Sequence, residues 1–395
     1  MNKAKISNGD INNFFKIIKE LKKDNRLPLH EPSLDRKDLD YVNKAIKSSE
    51  VSTYGKYTKI FEDKIKKYCK SNYSFSTING SSALHVSLIL SGVDEKSEVI
   101  LSTLGFISSI NSISYLKAKP IFCDCEKETL GIDPKKLKDF LSQNCKVKNN
   151  KCFNNKTKKY IKAAIITHVF GNPCKIDELC NILRSYKIKI VEDAAECLGS
   201  WYKKKHLGTF GDFGIISFNG NKIITSGGGG AVLLKNFSYY KKGLNIIRNM
   251  KIKHPFEQKF ADIGYNYRLP SLNSSLGISQ LNKIKVFLKN KQLLKNFYKK
   301  KFQNMKILTF FESLNSAQSN NWLNIILINQ EYKHLRKKIL KKSLDLNIEL
   351  RPVWSLLHKM KKFKNSQKTN LNNAINLEKR IITLPSSYNL IKKLK

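Results

Sequence analysis

The chain has 395 residues, 41% of them hydrophobic, and a formal net charge of +42 from 73 Lys+Arg against 31 Asp+Glu. That length and apolar share suit one large domain with a smaller one attached, and no run approaches the roughly 18–20 apolar residues of a membrane span. The charge does not point to a nucleic-acid partner, because the lysines are spread among Asn and Ile along the whole chain without a zinc-finger, homeodomain or RNP-type signature.

Residues 1–26 are expected to form an N-terminal helical segment, with apolar spacing over 11–23 predicting a short amphipathic helix. No apolar h-region with a small-residue cleavage site opens the chain, so it reads as cytoplasmic. The run Leu27-Pro-Leu-His-Glu-Pro32 predicts an extended segment, since proline disfavours helix at and before itself. Helices are expected over 35–48 and 57–69, joined by a loop at 51–55. From residue 73 short apolar runs alternate with helical stretches. Strands are expected over 74–78, 98–102, 120–125, 163–168, 188–192, 215–218 and 231–234, and helices over 83–91 and 106–116. Such alternation implies an α/β fold with a mostly parallel, doubly wound sheet.

Residues 144–160 are rich in Lys and Asn and read as a mobile surface loop. Beyond about 245 the sheet pattern weakens, helices run over 273–304, and a second αβ unit closes near Ser387. The expected division is a large domain over 27–245 and a smaller one over 246–395. Eight cysteines, none in a CxxC pair, read as free thiols of a reducing compartment rather than a metal site.

Three local patterns could carry chemistry. Asn79-Gly-Ser-Ser-Ala-Leu84 joins a strand to a helix through small residues, which exposes helix N-terminal amides to an anion such as phosphate; an ordinary N-capped helix has the same pattern. Asp193 and Glu196 fall just past the end of a strand, where open α/β sheets bind ligands. Lys222 lies four residues beyond another strand, after Ser217 and before the glycines at 227–230. An amine, a carboxylate and a hydroxyl so placed match an aldehyde-bearing phosphate cofactor. The amine forms a Schiff base, the carboxylate keeps a pyridine nitrogen protonated, and the hydroxyl meets the phosphate.

Six motifs then fall in one family's order. They are Asn79-Gly-Ser-Ser-Ala-Leu, Glu192-Asp-Ala-Ala-Glu196, Gly208-Thr-Phe-Gly-Asp212, Ser217-Phe-Asn-Gly-Asn-Lys222, the four glycines, and Gly264-Tyr-Asn-Tyr-Arg268. From about Leu27 to Ser387 the chain resembles the DegT/DnrJ/StrS family of PLP-dependent nucleotide-sugar aminotransferases, of aspartate-aminotransferase-like fold. The resemblance implies pyridoxal 5'-phosphate held through Lys222, which also shuttles the proton. It implies Asp193 at the ring nitrogen, Glu196 near the phenolic oxygen, Gly80, Ser81 and Ser217 at the phosphate, and Phe106 stacked on the ring. Asn266 would reach the phosphate from a partner subunit, making a homodimer with shared sites. Thr53, Tyr54, His168, Arg351 and His358 would stand at the substrate, with packing roles open for His168, Arg351 and His358.

Asn219 replaces a histidine common in the family, Ser81 a threonine, and the four glycines replace Gly-Glu-Gly-Gly. Asn219 and the four glycines, with residues 27–32 and the Arg351–His358 stretch, look like the LegC-type subgroup. That resemblance implies amino transfer from glutamate to C4 of a UDP-linked 4-keto-6-deoxy-N-acetylhexosamine, for cell-surface polysaccharide or nonulosonic-acid synthesis. The alternatives are a GDP- or dTDP-linked ketosugar, as in perosamine synthesis, or a sugar dehydratase on the same fold. The dehydratases carry histidine in place of the lysine.

Overall fold

The computed structural model describes residues 3–22 and 24–393. Met1, Asn2, Lys23, Leu394 and Lys395, which belong to the expected N-terminal segment and C-terminal domain, lie outside the described residues. Helix α1 (Lys3–Lys19) begins eight residues before the expected one. Next come α2 (Arg36–Lys47) and α3 (Lys56–Cys69). Asp35 caps α2, accepting from the amides of Lys37 and Asp38, and the Asp38 carboxylate returns the bond to the Asp35 amide, a capping box.

The central sheet uses β1 (Tyr73–Thr77), β2 (Ser97–Ser102), β3 (Lys119–Cys123), β4 (Cys145–Lys148), β5 (Lys151–Asn154), β6 (Lys159–Thr167) and β7 (Lys189–Asp193). After the small hairpin β8 (Trp201–Tyr202) and β9 (Lys205–His206), β10 (Phe213–Ser217) and β11 (Gly230–Leu234) complete it. The order is β1-β11-β10-β7-β6-β2-β3, and on this path only β11 runs against its neighbours. Helices α4 (Gly80–Leu90), α5 (Ile107–Tyr115), α6 (Pro134–Asn144), α7 (Ile176–Ser185) and α8 (Phe237–Ile246) connect the strands.

Side chains alternate across the pleat into two buried clusters. Leu101, Ile165, Val191, Ile215 and Val232 enter one, and Ile100, Ile166, Ile190, Ile216 and Leu233 the other. Both faces are therefore covered, as a parallel sheet requires.

Residues 144–160 are not a mobile loop. β4 and β5 form a hairpin, with Val147 opposite Cys152, and β5 continues onto β6. Asn149 and Asn150 form its two-residue turn with φ of 51° and 56°, the conformation that asparagine tolerates and hairpins favour. Cys145 and Cys152 point inward while the lysines point out, so a real alternation lies under a polar composition. All eight cysteines are buried and free.

The rest of the chain begins with an exposed hairpin, β12 (Lys251–Ile252) and β13 (Lys259–Phe260). Helices α9 (Ser271–Asn282) and α10 (Ile284–Phe302) follow. A second sheet of order β14-β16-β18-β17 contains β14 (Leu308–Phe310), β16 (Asn324–Ile328), β17 (Arg351–Pro352) and β18 (Ile381–Leu384), while β15 (Ala317–Gln318) pairs with β8. Helix α1 shares a buried cluster with α10, β16 and β18, and Phe14 stacks on Phe302 at 5.5 Å. No helix among the described residues is long and apolar enough to cross a membrane.

Candidate active site

The parallel strands β1, β6, β7 and β10 all end at one edge. Thr167 and Asp193 pair side by side across β6 and β7, and Asp193 pairs with Ile215 two residues before Ser217. A cleft of about 770 Å³ opens there. Gly80, Ser81, Phe106, Asp193, Glu196, Ser217, Lys222 and Arg351 all line it.

One end is a cradle. Asn79 caps α4 by accepting from the Ser82 amide at 2.8 Å, which leaves the first amides of the helix facing the cleft. A Cβ on Gly80 would stand 3.3 Å from the Ser217 Cβ, so glycine keeps the space between helix and strand open. The Ser81 hydroxyl lies 2.7 Å from that of Ser108. Gly80→Val should fill the cradle and weaken binding of a phosphate-bearing ligand roughly 10- to 100-fold, the scale of overpacking by a few methyl groups. Titration with PLP followed by absorbance reads this out, with circular dichroism unchanged.

The floor is acidic. Asp193 is buried, accepts from the Ser109 hydroxyl at 3.0 Å and from the Ala195 amide at 3.3 Å. Burial raises its proton affinity, and the Ser109 and Ala195 bonds and the charge of Lys222 oppose that rise. Glu196 receives the Phe170 amide at 2.8 Å. Burial pushes its carboxyl up to about 7 against the pull of Lys222 and of the Phe170 amide. Phe170 pays for that bond with a left-handed backbone, φ 57° and ψ 26°.

The ordinary carboxyl value of Glu196 is 4.5, so between there and about 7 the folded protein binds the extra proton. The contribution of Glu196 to the stability of the PLP-free protein should then fall as pH rises through that window, by about 3 kcal/mol in all at ~1.4 kcal/mol per unit. Glu196→Gln should remove this loss. Denaturant melts of both proteins at pH 5 and pH 8 measure it, and parallel pH profiles would contradict it.

Lys222 reaches in from the loop after β10. Its Nζ lies 3.4 Å from Glu196 Oε1 and 3.7 Å from the centre of the Trp322 ring. Trp322 and its neighbours Phe170 and Trp354 form an aromatic wall, with centroids 6.4 Å and 4.9 Å apart, and Phe106 meets Trp354 edge-on at 5.9 Å.

Other expected residues stand elsewhere. His168 does not line the cleft. Its Nδ1 accepts from the Cys174 amide at 3.2 Å, so Nε2 carries the proton and donates to Glu192 at 3.1 Å. Glu192 also accepts from the amides of Gly208, Phe210 and Gly211. The Gly208–Asp212 motif is thus a clamp on the acidic strand rather than part of the cleft. Burial favours the neutral form of Glu192, but the hydrogen bond from His168 and the amides of Gly208 and Gly211 together hold it below the usual carboxylate range. His358 bonds Thr103 through Nδ1 at 2.6 Å, also off the cleft. Thr53, Tyr54 and Asn266 line a separate cavity of about 1020 Å³ with Arg248, Lys251 and Arg268.

Sequence reasoning missed Ser109, Phe170, Trp322 and Trp354. Ser109 had a signal, because it follows Phe106 by one helical turn and so shares its face. The others arrive from distant segments through tertiary packing.

An open cradle beside helix amides, a buried carboxylate fixed by Ser109, and an amine beside both together fit the phosphate, ring nitrogen and aldehyde of PLP. The sheet order and this donor set define a PLP-dependent aminotransferase of aspartate-aminotransferase-like fold. Residues 32–393 match the DegT/DnrJ/EryC1/StrS aminotransferase family, and the chain belongs to it. It is 32% identical over 337 residues to GDP-perosamine synthase of Escherichia coli O157:H7, covering 85% of this chain and 86% of that one. To the UDP-4-amino-4,6-dideoxy-N-acetyl-beta-L-altrosamine transaminase of Campylobacter jejuni serotype O:23/36 it is 30% identical, covering 82% and 83%. Among solved structures it is similar to Helicobacter pylori PseC, an aminotransferase involved in the biosynthesis of pseudoaminic acid, with TM-score 0.83, 22% identity and coverage of 92% and 94%.

Proposed function

We propose that this enzyme moves an amino group from glutamate to C4 of a nucleotide-linked 4-keto-6-deoxy sugar, with a UDP-linked N-acetylhexosamine as first candidate, for surface-polysaccharide or nonulosonic-acid synthesis in the cytoplasm. The observation that carries the reading is Lys222 Nζ standing in the cleft beside Glu196, with the buried Asp193 lining the same space. Bound PLP supplies an electron sink and carries the amino group between the two substrates. Lys222 Nζ takes the proton from the α-carbon of the donor and later delivers one to C4 of the sugar. Asp193, oriented by Ser109, holds a proton at the ring nitrogen. Gly80, Ser81 and Ser217 bind the phosphate, and Phe106 packs on the ring. The aromatic wall excludes water, and Arg351 at the cleft attracts the anionic nucleotide. A lysine rather than a histidine at position 222 favours transfer over dehydration.

A GDP-linked substrate is the second reading, favoured by the 32% identity to GDP-perosamine synthase. Incubation with PLP, glutamate and a panel of UDP-, GDP- and dTDP-4-ketosugars, followed by 2-oxoglutarate release, separates the two. A protein that converts glutamate but aminates no 4-ketosugar in the panel would end the reading.

The working form is a homodimer. Phe256 and Ile263, on and beside the β12–β13 hairpin, are 86% and 82% exposed, the kind of apolar surface a second copy covers. Asn266 then serves the phosphate of the partner's site. Lys222→Ala and Asn266→Ala, each weakly active alone, should recover roughly a quarter of wild-type activity when refolded together, because half the dimers are mixed and each keeps one intact site. No recovery would place Asn266 and Lys222 in the same subunit's site.

A further inference from the structure

Trp322 is held at more points than packing requires. Its amide donates to Asn320 Oδ1 at 2.9 Å, and its indole Nε1 donates to the carbonyl of Asn221, the residue before Lys222, at 2.6 Å. Its own carbonyl accepts from Lys291 Nζ at 2.9 Å. Lys291 is itself unusual, being 1% exposed with no carboxylate in ion-pair distance among the described residues. It bonds the carbonyls of Asn321, Trp322 and Ser386 at 3.2, 2.9 and 2.6 Å. Burial lowers its proton affinity, yet three acceptors need three donors, which only the ammonium has. A buried charge spent on three carbonyls fixes the segment that carries the indole. The indole face meets one charged atom, Lys222 Nζ, at 3.7 Å.

We propose that Trp322 is a positioning residue for Lys222, whose indole face, with Glu196, holds the protonated Nζ between its two proton transfers. When the C–H bond of the donor breaks, the proton goes to Nζ and the electron pair to the cofactor, so a positive charge forms at the amine. That charge sits over the ring, where the negative face of the indole attracts it. The same contact keeps the amine from swinging away before the proton is returned. Lys291 and the Asn221 carbonyl set the angle of the ring.

The inference rests on the aminotransferase assignment and not on the identity of the sugar, so it is tested without one. In PLP-free protein, reductive methylation of Lys222 by formaldehyde and cyanoborohydride, read by mass spectrometry, reports how firmly the ammonium is held. Trp322→Leu should raise the rate about tenfold and Trp322→Phe about threefold, following the weaker ring face. In the PLP-loaded enzyme the glutamate half-reaction should slow by similar factors, with an increased isotope effect for α-deuterated glutamate and an unchanged KM. Methylation of both variants at the wild-type rate would overturn the proposal. If Trp322→Leu does not fold, Trp322→Phe decides alone, and a wild-type methylation rate there is equally fatal. Failure of glutamate as donor would instead strike the proposed function, leaving the methylation result intact.

Discussion

Lys222→Ala should lose at least about 10⁴-fold in amino-transfer rate, the combined scale of a positioned proton carrier and a covalent anchor. Among the described residues lining the cleft, Lys222 and Arg351 are the only cations of the Lys/Arg type, and a guanidinium cannot form the Schiff base of an amine. No second lysine in the cleft therefore replaces the missing amine, and the Glu196 carboxylate, held by the Phe170 amide, has no amine to form the covalent anchor. Binding of PLP should survive in weakened form, since Gly80, Ser217 and Asp193 remain. Release of 2-oxoglutarate under saturating glutamate measures the loss. A small primary amine added to the variant should restore part of the rate by carrying the proton through the vacated space. A variant that turned over within tenfold of wild type would remove Lys222 from the chemistry.

The second large effect is Asp193→Asn. An amide keeps the size of the side chain and can still meet Ser109, so the fold and the cleft should be preserved. What disappears is a buried negative charge, which under the proposed function faces the ring nitrogen. Breaking such a pair costs about 3–5 kcal/mol, which predicts a fall in kcat of roughly 10²- to 10⁴-fold with a modest change in PLP affinity. The comparison with Glu196→Gln is informative, because both residues are buried acids on the same turn. Glu196 carries a raised proton affinity of about 7 in the free site and should tolerate neutralisation far better. Equal losses in the two variants would mean that the site does not distinguish the carboxylates.

Most of the central sheet was legible because each strand is a short apolar run closed by small or polar residues. The site residues that share the cleft were legible for a related reason. Asp193 and Ser217 close their strands, Gly80 and Lys222 follow strand ends within a few residues, and the rule that ligands bind beyond carboxyl ends places them together. His168 follows a strand end too, yet Glu192 draws its ring into the protein, and a pairing across 24 residues leaves no local pattern. Thr53, Tyr54 and Asn266 share one cavity away from Lys222, so within one chain they do not join the cleft. Trp322 joins Lys222 through contacts of long separation, and nothing in its neighbourhood marks it as more than core. The hairpin over β4 and β5 was hidden by composition, since its inward cysteines and Val147 are outnumbered by lysine and asparagine.

Helix α1 has a consequence for how the protein is made. Its apolar face, Ile11, Phe14, Phe15 and Ile18, packs against Leu294, Tyr298, Ile326 and Ile382, residues translated hundreds of positions later. At ribosomal speed the helix emerges roughly 20–70 s before its last partners exist. During that interval the nascent chain carries α1 with its apolar face unpaired, while the central sheet is already synthesised. Completion of this layer therefore waits until the β18 strand has left the ribosome, and until then chaperone capture should concentrate on α1.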